Sequence, residues 1–235
     1  MGLNRKGAQI SVGLVVTTLV SFLGACSPVV ARPFMYSSPE IRGEVLDADT
    51  GAPVPKVIVV GLWIMSPTVI GSSDYNKRLN LIEVATDEAG TFVLPAWGPK
   101  LVPLGETIDG TNPRLAVFKH GYRTEWLLNM PSWLERPKTD PPRTYWTIKL
   151  EPFTGTLEQE AFNCSAFYER LIPEIDDPDD QEDWKHYPLT TAAVEKEMQQ
   201  LESRGLKPGH RPYRLPRIEL LSPSDRELLT RSVHD

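Results

Sequence analysis

The side chains that could do chemistry are few, and they are scattered. Histidines stand at His120, His186, His210 and His234. None lies in an HxH, HxxE or HExxH spacing that would aim two ligands at one metal ion. The sequence therefore predicts no metal ligands and no zinc peptidase. It also lacks a GxSxG elbow, a phosphate-binding P-loop and a GxGxxG fingerprint. Ser72-Ser73 follow Gly71 with no visible base. No catalytic residue and no cofactor is predicted, and the chain reads as a protein that is not an enzyme. The alternative is a hydrolase with a loop-borne site, which would need a cleft gathering groups such as His120 or Asp109 with shifted acidities.

Three further features carry chemistry of a weaker kind. Seven carboxylates crowd into Glu174–Asp183. Calcium takes six to eight oxygen ligands, but the EF-hand glycine and downstream glutamate are missing and Pro178 interrupts. A solvated, self-repelling loop is expected, with calcium as the open alternative. Trp97, Trp126 and Trp133, with Trp184, lie beside prolines or polar residues and could stack on sugar faces. The competing reading is that they roof the ends of a core, as Trp63 and Trp146 pack within strands. Of the two cysteines, Cys164 stands among apolar residues at helical spacing and reads as a small buried hydrophobe.

Cys26 differs in context. Residues 1–9 contain Arg5 and Lys6 and no acid, and residues 10–23 carry no charge. That is the layout of a signal peptide over 1–25, and it falls short of the ~20 apolar residues of a membrane span. Leu23-Gly24-Ala25-Cys26 resembles the lipobox of bacterial lipoproteins. The resemblance implies cleavage before Cys26, a diacylglycerol on its sulfur and an acyl group on its amine, with small Gly24 and Ala25 fitting the peptidase. Several acyl chains anchor stably where one would not. Ser27, where inner-membrane lipoproteins often carry Asp, points to the outer membrane, facing the periplasm. In such an oxidising compartment Cys164 has no intramolecular partner, so the fold must stand on its hydrophobic core.

The elements that would position these groups follow from composition and pattern. Among 235 residues there are 22 prolines, so short elements and many turns are expected. A net charge of −6 and a pI near 5.3 argue against nucleic-acid partners. Residues 26–39 read as a lipidated tether. Residues 40–152 hold about seven strand signals: the alternating Ile41–Leu46, the continuous apolar Val54–Met65, then Leu79–Ala85, Thr91–Leu94, Arg114–Lys119, Gly121-Tyr122 and Thr144–Leu150. Turns are expected at Asp47–Gly51 and Thr86–Gly90. Residues 153–235 read as a proline-rich helical extension without a core of its own. Leu157, Ala161, Cys164, Tyr168 and Leu171 form one face, Thr191 is a candidate cap for a second helix that stops at Gly205, and Ser222-Pro223-Ser224-Asp225 opens a third.

The stretch Ile41-x-Gly43-x-Val45-x-Asp47-x-x-Thr50-Gly51-x-Pro53-Val54-x-x-Val57 resembles the opening of a carboxypeptidase regulatory-like domain. Thr86-Asp87-x-x-Gly90-x-Phe92, Lys119-x-Gly121-Tyr122 and a strand ending Leu150-Glu151-Pro152 follow in order. The resemblance covers residues 40–152 and implies a transthyretin-like sandwich, with longer segments at Thr68–Lys77 and Trp97–Asn112. The expected architecture is mainly β: an antiparallel, Greek-key-type β-sandwich of about seven strands with a short helical C-terminal extension. The expected function is a membrane-anchored envelope module with a structural or binding role, its partners being membrane lipid through Cys26 and an envelope protein or glycan.

Overall fold

The computed structural model describes residues 34–68, 77–108, 112–129, 144–171, 183–207 and 209–234. Ten strands are β1 (Phe34–Ser38), β2 (Ile41–Asp47), β3 (Ile58–Pro67), β4 (Lys77–Ala85), β5 (Thr91–Leu94), β6 (Trp97–Val102), β7 (Glu106–Ile108), β8 (Arg114–Phe118), β9 (Glu125–Leu128) and β10 (Tyr145–Leu150). Three α-helices follow: α1 (Leu157–Leu171), α2 (Pro188–Ser203) and α3 (Pro223–His234). The fold is the expected mainly-β sandwich with a helical C-terminal part.

One sheet runs β10-β2-β5, a second runs β4-β3-β8-β9 with β7 also on β3, and β1 and β6 form a two-stranded third. Pairings are antiparallel except β10 with β2, which run parallel with Trp146 opposite Gly43. Gly43 is required there, because a Cβ would come within 2.5 Å of the Trp146 carbonyl and 2.6 Å of the Phe92 ring.

The continuous apolar run in β3 has a physical reason: both faces of this strand are covered. Val59 and Trp63 point into the inter-sheet core with Val45, Phe92, Leu94, Leu115, Ile148 and Leu150. Ile58, Val60, Leu62 and Ile64 point the other way, into a core shared with Phe167, Tyr168, Val194, Met198 and Leu201 of the helices. Among the described residues the molecule is thus two facing sheets, a separate two-stranded sheet of β1 and β6, and a helical layer, and the helices complete the outer face of β3. Cys164 is buried in that second core.

Both predicted turns are closed by their acids. Asp47 Oδ1 accepts from the Thr50 amide at 2.8 Å and its hydroxyl at 2.8 Å. Asp87 accepts from the Thr91 amide at 2.8 Å and hydroxyl at 2.7 Å. These bonds hold both carboxyls below the usual carboxylate range. The Tyr122 hydroxyl donates to Asp47 Oδ2 at 3.0 Å, tying the β8–β9 corner to the first turn.

Four expectations need correction. The tether expected over 26–39 ends earlier, because Phe34–Ser38 is a strand paired with β6, Met35 opposite Leu101. Its partner lies about sixty residues away, so no local pattern marks it. Gly121 lies in a turn and Tyr122 makes an isolated bridge to Pro152 rather than a strand, and β9, the strand that pairs with β8, begins at Glu125. Thr191 does not cap α2; it is buried inside the helix, which begins at Pro188. Asp183, the last acid of the 174–183 run, is buried at 5% exposure in a short 3-10 turn rather than solvated. The rest of that run lies outside the described residues.

Candidate functional site

A cleft of about 1180 Å³ opens where the sandwich meets α2, and Glu83, Lys119, His120, Leu189, Lys196 and Glu197 are among its lining residues. Three structural devices meet at its His120–Glu197 end.

The first is the corner after β8. Gly121 adopts φ +78°, a conformation a side chain resists, and the Tyr122 amide donates to the Lys119 carbonyl at 3.1 Å. The turn sets His120 at its tip. The second is the start of α1. Thr156 and Gln159 form a reciprocal cap, with Thr156 N–H to Gln159 Oε1 at 2.9 Å and Gln159 N–H to Thr156 Oγ1 at 3.4 Å. Glu160 follows at once, one helical turn before buried Cys164. Asn163 of the same helix accepts from the Thr124 amide and hydroxyl at 3.3 and 3.1 Å, which fixes α1 against the β8–β9 connection.

The third device orients α2. Tyr187, at its cap position, offers no side-chain bond, and Pro188 has no N–H to satisfy. The next two amides, of Leu189 and Thr190, donate instead to the Glu83 carboxylate of β4 at 2.6 and 2.9 Å, joined by the Thr190 hydroxyl at 2.8 Å. A carboxylate at a helix N-terminus is favourable for both hydrogen bonding and the helix dipole. Here it comes from the sheet, so α2 is docked by its own cap. Helix α2 then places Glu197 in its buried stripe beside Val194, Met198 and Leu201.

The three devices bring together what the sequence keeps apart. One ligand-type atom each of His120, Glu160 and Glu197 lies within 4.8 Å of the others. His120 Nδ1 is bonded to Glu197 Oε2. Glu160 Oε2 accepts from Arg204 Nη1 at 3.0 Å. The Glu197 side chain is 4% exposed and that of His120 is 55% exposed, so the cluster runs from the protein interior to the cleft mouth. Burial pushes the Glu197 pKa up, His120 draws it back, and the neighbouring Glu160 raises it again. The Cys164 thiol is pushed well up by burial and then by the same two carboxylates, so it stays protonated and unreactive.

Other shifted groups in the cleft have structural work. Burial raises Glu83, the α2 cap, against its helix bonds. Burial lowers Lys119, with Lys56 and Lys196 adding to the effect. Its ammonium donates to the Pro55 carbonyl at 2.9 Å, turning toward the 55–56 loop.

Cys26, with Leu23, Gly24 and Ala25, lies outside the described residues, as do Trp133 and Asp109. Trp97 packs into the inter-sheet side, edge-on to Trp63 with centroids 5.1 Å apart. Trp126 packs on the helix side, under Phe167 and with the Arg170 guanidinium 4.7 Å above its ring. The two rings therefore serve different cores and form no common stacking platform. Trp184 is buried.

The His120–Glu160–Glu197 cluster has no ligand spacing along the chain, because its three residues come from a turn and two helices. A signal was present: Glu197 interrupts an apolar helical stripe, an expensive place for a carboxylate without a partner. No family model and no curated protein matches the chain.

Proposed function

We propose that the chain is a lipid-anchored lipoprotein of the bacterial envelope, held at the outer membrane facing the periplasm, whose β-sandwich is a non-catalytic structural or binding module. The observation that carries the reading is Leu23-Gly24-Ala25-Cys26 at the end of a basic-then-apolar leader. The first described strand starts at Phe34, eight positions after Cys26, so at ~3.5 Å per residue the lipid would lie no more than about 28 Å from it. The module would work close to the membrane surface. Among the described residues no helix is long and apolar enough to cross a membrane.

The resemblance to carboxypeptidase regulatory-like domains belongs to the same proposal. It is supported by the structural use of its motif residues: Asp47, Thr50, Asp87, Gly90 and Tyr122 close turns and corners. The partner would be an envelope protein or a glycan. A hydrolase remains the second reading, favoured by one observation, the bond of His120 to a buried carboxylate in an open cleft. Against it stands Cys164, the nearby nucleophile type, buried as a neutral thiol.

Metabolic labelling with a palmitate analogue and membrane fractionation test the anchor. The wild-type chain should be labelled and sediment with membranes; Cys26→Ser should be unlabelled and soluble. A Cys26→Ser chain that still sediments after a carbonate wash would overturn the reading.

A further inference from the structure

We propose that His120, Glu160 and Glu197 together bind one divalent transition-metal ion of the zinc type, which clamps the helical layer to the β8–β9 corner of the sandwich. The inference rests on the described fold and is independent of the lipid anchor.

The donor set is the first argument. One imidazole nitrogen and two carboxylates suit zinc and its neighbours, whereas magnesium and calcium prefer all-oxygen sites. Distance is the second. Around an ion with bonds of about 2.0–2.2 Å, two ligand atoms stand at most about 4.4 Å apart. The three atoms are already within 4.8 Å of one another, so closure needs only small side-chain rotations. Preorganisation is the third: the Gly121 turn, the Thr156–Gln159 cap and the Glu83 cap fix the three backbones independently of any ion.

Charge and access complete the case. Two carboxylates face each other here with one of them buried, an arrangement that a dication relieves. Arg204 occupies one oxygen of Glu160, and a carboxylate has a second to offer. The half-exposed His120 ring stands at the cleft mouth, giving a route of entry, while the Lys119 ammonium is held away by the Pro55 and Lys56 carbonyls. Three protein ligands leave at least one position for water from the cleft. On binding, the proton shared between His120 and Glu197 would leave to solvent, and a nitrogen–metal and two oxygen–metal bonds would replace their hydrogen bond.

The test uses the purified full chain in detergent, stripped with EDTA, then titrated with zinc chloride by calorimetry and followed by thermal unfolding. The expected result is one zinc per chain and a Tm that rises with zinc concentration. His120→Ala and, separately, Glu160→Gln should each weaken zinc binding by at least about tenfold. Using two variants on different elements guards against one that misfolds, and the readout is the zinc-induced rise rather than the metal-free Tm. Three outcomes overturn the proposal: no saturable zinc binding by the wild type, an undiminished zinc response in both variants, or an equal rise with magnesium chloride.

Discussion

The two faces of β3 are buried by different materials. Toward the second sheet, Val59 and Trp63 meet Phe92, Leu94, Ile148 and Leu150, an apolar core in which shape alone decides the packing. Toward the helices, Ile58, Val60, Leu62 and Ile64 meet an equally apolar set, but the surrounding layer also buries Thr190, Thr191, Glu195 and Glu197 at 3% exposure or less. Sheets are aligned by their own hydrogen bonds and twist. A helix laid on a sheet can slide or rotate, and charged groups held away from water by specific partners penalise registers that separate them. The Glu83 cap and the His120–Glu197 bond connect segments far apart in the chain, and the Glu195–Arg211 pair ties α2 to the segment that follows it within the helical layer. The comparison teaches that the sandwich is held by surface area, whereas the helical layer is positioned by electrostatics.

The sharpest way to break this contrast is to damage each side in its own terms. Trp63→Ala removes a fully buried ring from the inter-sheet core and should cost about 3–5 kcal/mol, lowering hydrogen-exchange protection across both sheets. Chemical denaturation of the purified variant measures it; a loss under about 1 kcal/mol would mean that the inter-sheet core does not hold the molecule. On the other side, Arg211→Met removes the cation facing the Glu195 carboxylate, whose side chain is 1% exposed, and leaves it the Gln199 amide at 3.0 Å. It should cost about 3 kcal/mol, with protection lost first in α2. The double variant Glu195→Met/Arg211→Met should recover most of that loss, since two apolar side chains need no partner. If the double variant is no better than the single one, the pair acts by packing and not by charge.

The sandwich was largely legible because its instructions are local. Alternation in Ile41–Leu46, the unbroken apolar run of β3 and the Asp–Gly turns at 47–51 and 87–90 each specify structure within a few residues. Strand β1 was not legible, because Phe34–Ser38 becomes a strand only through β6, and the parallel seat of β10 beside β2 is equally remote in sequence. The candidate site was the least legible part. The seven-carboxylate run is conspicuous by density, yet the cluster that forms uses single acids from two helices and one histidine from a turn. Density along a chain measures repulsion; convergence in space depends on which helix face each residue occupies. The cap of α2 illustrates the same limit, since Thr191 had the right residue type while Glu83, over a hundred residues earlier, does the work.

Glu83 also gives the smallest and most discriminating test of the contrast. Its carboxylate is pulled two ways: burial raises its pKa from the ordinary 4.5, and the bonds from Thr190 and Leu189 lower it, with burial the larger effect. A carboxyl whose native pKa is raised binds its proton more tightly folded than unfolded. Stability from this group is therefore greatest in acid. It declines as pH climbs from about 4.5 through the raised native value, and is flat beyond. Glu83→Gln keeps one acceptor and loses the titration, so it should cost on the order of 1 kcal/mol through the weakened cap. The wild-type advantage over Glu83→Gln should be larger near pH 4.5 than near pH 7. Glu125, Glu195 and Glu197 are raised in the same direction in both proteins and cancel in the difference. Urea denaturation of the pair at several pH values reads this directly. A wild-type advantage that instead grows with pH would mean that the N-terminus of α2 outweighs burial, and that the helical layer is bound by its charges more tightly than the contrast between the two faces of β3 requires.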